Sequence, residues 1–166
     1  MNHFPPLKWR SDCRCYQVRI TKGAFRSMVK LAIQHIPNEI GTSLVGSYSD
    51  DGHRAVIHGI APLSPDSSGS PTSFIRGILG LRDFFDRLLA RFRRKRHYVG
   101  EWHSHPNGPP AASPKDDRDQ KAIAHDEKTD CFECILVIVG DDLSASPSLG
   151  VYIYSRTRGK IPLNSM

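Results

Sequence analysis

Glu101 to Asp119 read EWHSHPNGPPAASPKDDRD. His103 and His105 stand two apart, and on a strand such a pair shares one face, because successive side chains alternate. Seven residues beyond Pro106, Ser113-Pro114 is a helix start, with serine as N-cap and proline at the first helical position. That places Asp116 third in the helix, beside Asp117 and close to Asp119, where negative charge is favoured by the helix dipole. A carboxylate at the head of such a helix can fold back over the strand it follows. Two imidazoles and one carboxylate leave an open position, which is the pattern of a catalytic rather than a structural zinc site.

The flanking sequence puts this stretch in a mixed α/β chain. His97–His105 reads as one strand, with Tyr98, Gly100, Trp102 and Ser104 on one face and Val99, Glu101, His103 and His105 on the other. A face bearing an acid and two histidines packs poorly and suits a site, whereas Trp102 is expected in the core. The helix opened by Ser113 is expected to run to about Lys128. Ile135–Val139 is a continuous apolar run, expected to be buried on both faces, and Leu149–Ser155 alternates as a last strand.

Upstream, Cys15–Ile20 reads as a first strand. Thr21 caps a helix through Ile36, whose Phe25, Met28, Val29, Ala32, Ile33 and Ile36 fall at helical spacing, and Pro37 ends it. Thr42–Tyr48 and Arg54–Ile60 pair across the turn Ser49-Asp50-Asp51-Gly52, with Glu39 just ahead of the first strand. Residues 61–72 are Pro-, Ser- and Gly-rich and read as loop. Residues 73–95 predict one long amphipathic helix, weakened by Gly77 and Gly80 and ending in the basic run Arg91–Arg96, where cations suit the helix C-terminus. Residues 1–12, with Pro5-Pro6, read as a flexible arm, and 13–166 as one domain. The expected fold is a single mixed β-sheet packed by helices.

Composition narrows the class. The chain has 166 residues, 39% hydrophobic and 24% charged, enough for one buried core. No apolar run approaches the roughly 20 residues of a membrane-spanning helix, and the first residues lack an apolar signal core, so a cytoplasmic protein is expected. The net charge of +6 favours acidic partners without naming one. The basic run is read as a solvated helix end; a nucleic-acid module would instead show steeply salt-dependent binding. Cys13, Cys15, Cys131 and Cys134 are expected as reduced thiols; a four-thiolate zinc site would have to join pairs more than a hundred positions apart. His3, His35, His53, His58, His97 and His125 are not needed by the site.

The His-Ser-His-Pro strand followed by Ser-Pro-Lys-Asp resembles the JAMM motif of the JAB/MPN metallopeptidases. That motif has an upstream Glu, His-Ser/Thr-His-Pro, then a Ser and, three further on, an Asp. His103, Ser104, His105, Pro106, Ser113 and Asp116 match it, and Glu39-Ile-Gly-Thr-Ser-Leu-Val-Gly46 resembles the segment that carries its upstream Glu. The order of elements from about residue 15 to 155 fits as well. The resemblance implies the JAB1/MPN fold, with its cytidine-deaminase-like layout. It also implies one catalytic Zn²⁺ held by His103, His105 and Asp116. Glu39 would serve as general base, and Ser113 as hydrogen-bond donor to the oxyanion. By spacing alone Glu101 competes with Glu39 for the role of base. Ser113 is asked both to cap a helix and to serve the site.

The short form resembles the bacterial peptidases of CBASS antiphage defence and related ubiquitination-like operons. This implies cleavage after the C-terminal residue of a ubiquitin-like or conjugated protein. The extended tail of that protein would lie as an added strand, and E1- and E2-like proteins would be operon partners. Other readings carried from the sequence are a zinc amidohydrolase of small peptides, a metal-free MPN scaffold and the basic nucleic-acid module.

Overall fold

A computed structural model describes residues 5–166. In chain order the elements are β1 (Lys8–Ser11), β2 (Gln17–Ile20), α1 (Lys22–His35), β3 (Gly41–Tyr48), β4 (Arg54–Ile60), β5 (Ser68–Ser70), β6 (Ser73–Ile75), α2 (Leu81–Arg91), β7 (His97–Pro106), α3 (Pro114–His125), β8 (Glu133–Asp141), β9 (Ser148–Ser155) and β10 (Gly159–Ser165). Eight of these strands close into a barrel in the order β1-β10-β9-β8-β7-β3-β4-β2, while β5 and β6 form a separate hairpin. The fold is a single mixed α/β domain, as expected. Most neighbours are antiparallel; β7 and β8 run parallel, as do β2 and β4.

β8 organises the packing. Ile135, Val137 and Val139 join the main core with Phe25 and Met28 of α1, and Cys134, Leu136 and Ile138 join a second cluster with Ala124 of α3. The apolar run is therefore buried on both faces, with one helix covering each. Thr21 caps α1 as its spacing predicts, its hydroxyl accepting from the Ala24 N–H.

Several expectations are corrected. Of the arm expected at 1–12, residues 1–4 lie outside the described residues. Lys8–Ser11 is β1, paired with both β2 and β10, so the folded unit begins before residue 13. Too short to show a period, this strand takes its structure from its two neighbours. β10 lies beyond Leu149–Ser155, the strand read as the last, and pairs with both β9 and β1.

The long helix expected over 73–95 is only α2. Residues 73–75 pair with 68–70 instead, inside and beside what read as loop. Asp66 takes the Ile78 and Leu79 N–H groups and Ser67 Oγ the Gly77 N–H, which draws these amides away from helical bonding. Gly80 then sits in the left-handed region at φ 79° as the N-cap. α3 ends at His125 rather than Lys128, because the Asp126 side chain turns the chain by accepting from Lys128 and Thr129. In the basic run, the Arg91 and Arg96 guanidinium groups lie over the Phe92 ring.

The two-face reading of β7 is corrected as well. Leu44 faces Gly100 but Val45 faces Tyr98, so Val99 is an extra residue, a β-bulge. The bulge reverses the alternation. Val99 joins Trp102 in the main core, and Tyr98 moves to the side of Glu101, its hydroxyl 2.7 Å from Oε1. Gly100 makes this possible. Its φ is 144°, and a Cβ there would lie 1.9 Å from the Ile135 carbonyl oxygen. Gly100→Ala is expected to lower unfolding free energy by roughly 2–4 kcal/mol, from backbone strain and overpacking together, read as a fall in the urea midpoint.

Candidate metal centre

β7 carries both histidines to its C-terminal end, and α3 delivers the acid. The N-terminus of α3 is tied by a reciprocal capping box: Asp116 N–H donates to Ser113 Oγ at 3.2 Å, and Ser113 N–H to Asp116 Oδ2 at 2.7 Å. A buried Gln120 and Ala124, and the Tyr154 hydroxyl 2.6 Å from Asp117 Oδ1, set the helix on β8 and β9. The result is convergence. His103 Nε2 lies 3.0 Å from His105 Nε2 and 3.3 Å from Asp116 Oδ1, and His105 Nε2 lies 3.7 Å from Asp116 Oδ2.

These residues fit a zinc ion. Among the described residues they are the one group of three or more His, Cys, Asp or Glu whose ligand atoms come within 4.8 Å of one another. The separations match the roughly 3.3 Å edges of a tetrahedron whose metal–ligand bonds are about 2.0–2.1 Å. The Pro109 carbonyl lies 3.1 Å from His105 Nδ1, so Nδ1–H donates outward and the Nε2 lone pair faces the site. Burial works to raise the Asp116 pKa. Hydrogen bonding and charge from His103, with the donors of Ser113, outweigh it and hold this carboxyl well below the usual range.

Glu39 arrives through strand pairing. It precedes β3, and Gly41 pairs with His103. A Cβ on Gly41 would lie 2.0 Å from the Trp102 carbonyl oxygen, so the two strands meet closely only with glycine there. Ser104 completes the join: its Oγ accepts from the Ile40 N–H at 3.1 Å and its own N–H donates to the Ile40 carbonyl at 2.8 Å. Sequence reading gave this serine no role; its full burial is what reveals one. Glu39 Oε1 then lies 3.9 Å from His105 Nε2. Burial raises the Glu39 pKa, as does the Asp116 charge, with His105 opposing.

Glu101 stands differently. At 6% exposure it is enclosed by Tyr98 OH at 2.7 Å, Ser43 Oγ at 3.3 Å and Arg76 Nε at 3.4 Å. It lines the same cavity of about 450 Å³, which Phe74, Lys115 and Ile123 also border, but its oxygens are spent on these partners. Ser113 Oγ donates to Asp116 Oδ2 at 2.7 Å, so its proton is engaged by the capping carboxylate.

The histidines and cysteines outside the motif lie elsewhere. His35 and His125 bond their own helices, His58 bonds Ser47, and His97 a neighbouring carbonyl; His53 packs on Tyr16, and His3 lies outside the described residues. The cysteines are free, with Cys13 and Cys15 at the β1–β2 turn and Cys131 and Cys134 in the cluster beneath α3. Trp102 is buried, its Nε1 donating to Thr42 Oγ1 at 2.9 Å. No helix among the described residues is long and apolar enough to cross a membrane.

Comparison with known proteins agrees with this geometry. A curated relative, the CD-NTase/cGAS isopeptidase of Enterobacter hormaechei subsp. hoffmannii (strain UCI 50), is 35% identical over 160 residues, 96% of this chain and 87% of that protein. The solution structure of protein DSY2949 from Desulfitobacterium hafniense is alike in fold, with a TM-score of 0.58 at 21% identity over 90% of this chain and 89% of the other. Residues 21–153 match the prokaryotic homologues of the JAB domain, and the chain belongs to that family.

Proposed function

We propose that this chain is a zinc-dependent isopeptidase that cleaves after the C-terminal residue of a conjugated protein. The observation that carries the reading is Glu39 set 3.9 Å from His105 Nε2, beside three convergent ligand atoms, in an open cleft. His103, His105 and Asp116 hold the metal, and the chemistry a bound zinc supplies is Lewis acidity toward water and the scissile carbonyl. Glu39 accepts the proton of the attacking water and returns it to the leaving amine; the upward push on its pKa suits both halves of that task. Ser113 donates to the oxyanion after turning from Asp116.

The relative named an isopeptidase of CD-NTase/cGAS supports a nucleotidyltransferase of that type as the conjugated protein. On this reading the enzyme acts in the cytoplasm of a bacterium, in antiphage defence, with E1- and E2-like enzymes making the linkage it removes. The test is a fusion of a CD-NTase C-terminal tail to a folded reporter, incubated with and without chelator. Cleavage after the tail's last residue, lost on chelation and restored by zinc, is expected; chelator-resistant cleavage, or none, would overturn the reading.

Ser113→Ala separates the two uses of that serine. Losing the cap alone costs about 1 kcal/mol of stability. Losing an oxyanion donor lowers kcat by about 10²–10³. A fall in kcat of that size, with a small fall in Tm, is the expected outcome.

A further inference from the structure

Arg76 belongs to no motif, yet the hairpin over the site is fastened through it. It directly follows β6. Its Nη1 donates to Ser43 Oγ on β3 at 3.0 Å, and its Nε stands 3.4 Å from Glu101 Oε2 on β7. Glu101 is buried, and a carboxylate in that position is costly without a cation or donors to face it. Tyr98 and Ser43 supply two donors and Arg76 the charge. The guanidinium is thereby held inward.

The far end of the same hairpin grips the candidate base. The Ser70 carbonyl accepts the Glu39 N–H at 2.8 Å. Gly69 lies so close that a Cβ on it would stand 2.0 Å from the Glu39 carbonyl oxygen. Between these ends, Ser68, Gly69, Ser70 and Ile75 are exposed, and only three residue pairs join β5 to β6. A hairpin of that size is not stable alone. Phe74, packed on the main core, is its apolar anchor, and Arg76 is its ionic one.

We propose that Arg76 is a positioning residue. Paired with Glu101, it pins the β5–β6 hairpin across the cavity, and the pinned hairpin holds the Glu39 backbone so that its carboxylate faces His105. What Glu39 then does rests on the isopeptidase reading; the latch itself does not.

The experiment reads amide hydrogen exchange over residues 38–41 and 68–76, together with kcat, KM and zinc content. It uses wild type, Arg76→Ala, Arg76→Lys and the double variant Arg76→Ala/Glu101→Gln. In Arg76→Ala the Glu39 amide and the hairpin are expected to exchange about ten-fold faster or more, because local opening becomes easier. kcat is expected to fall by about 10–100-fold through misplacement of the base, with KM changed little and zinc content unchanged. Arg76→Lys restores a cation to Glu101 and recovers part of both readouts. The double variant leaves no unpaired buried charge, so it carries the test if Arg76→Ala fails to fold. It is expected to match Arg76→Ala, since the contribution of Glu101 runs through Arg76.

Wild-type exchange at Glu39 in folded Arg76→Ala or the double variant would overturn the proposal. So would a loss of kcat that tracks a loss of zinc. If wild type cleaves no tail fusion, the isopeptidase reading falls, and the exchange data alone decide the latch.

Discussion

Glu39→Gln is expected to fold and to bind zinc as wild type does, yet to turn over a tail-fusion substrate about 10²–10⁴-fold more slowly, the range a positioned general base contributes. The substitution keeps the shape of the side chain and its backbone bond to Ser70, while removing the group that accepts a proton. Zinc retention follows because the ligand atoms converge from β7 and α3 without Glu39. Glu101→Gln makes the contrast. Its hydrogen-bonding neighbours Tyr98, Ser43 and Arg76 remain, and the variant should keep much of its turnover. Metal analysis beside single-turnover rates checks both variants; equal rates for wild type and Glu39→Gln would remove Glu39 from the role of base.

Asp116→Asn is expected to lose zinc and, with it, all detectable turnover. The amide can still accept from the Ser113 N–H, so the start of α3 survives, but the negative charge facing two imidazoles is gone. That charge is strongly favoured where it stands, as the depressed pKa of Asp116 shows. The stability readout is independent of activity. With free zinc at a thousand times its Kd, a site present only in the folded state adds about 4 kcal/mol. Wild type should therefore melt higher with zinc than with chelator, and Asp116→Asn should melt alike in both. His105→Ala should behave in the same way.

The parts legible in the chain are those decided by neighbours in sequence. Thr21 and Ser113 announce their helices because a cap is a bond across three residues. The fit of His103, His105 and Asp116 is legible for the same reason. Strand alternation and a capped helix start are local geometry, and the loop between them is short. The both-sides burial of Ile135–Val139 follows from an unbroken apolar run.

Long-range pairing decided the rest. Glu39 reaches the histidines because β3 pairs with β7 and Ser104 bonds Ile40; no spacing rule within either segment encodes that join. By spacing alone Glu101 and Glu39 were rivals, and only the resemblance favoured Glu39. In the structure Tyr98, Ser43 and Arg76, drawn from three segments, occupy the oxygens of Glu101. The bulge at Val99 put Tyr98 there, reversing the alternation that a regular strand would give.

Residues 73–80 show the same balance. Their apolar spacing fits a helix, but β5 and the side chains of Asp66 and Ser67 captured their backbone groups first. The ligand motif thus belonged to the sequence from the outset, because capping and strand alternation act over a few residues. The approach of Glu39 to His105 and the hairpin bonded to its backbone came from tertiary structure, because a backbone N–H or a buried carboxylate takes whichever partner the closed barrel brings within reach.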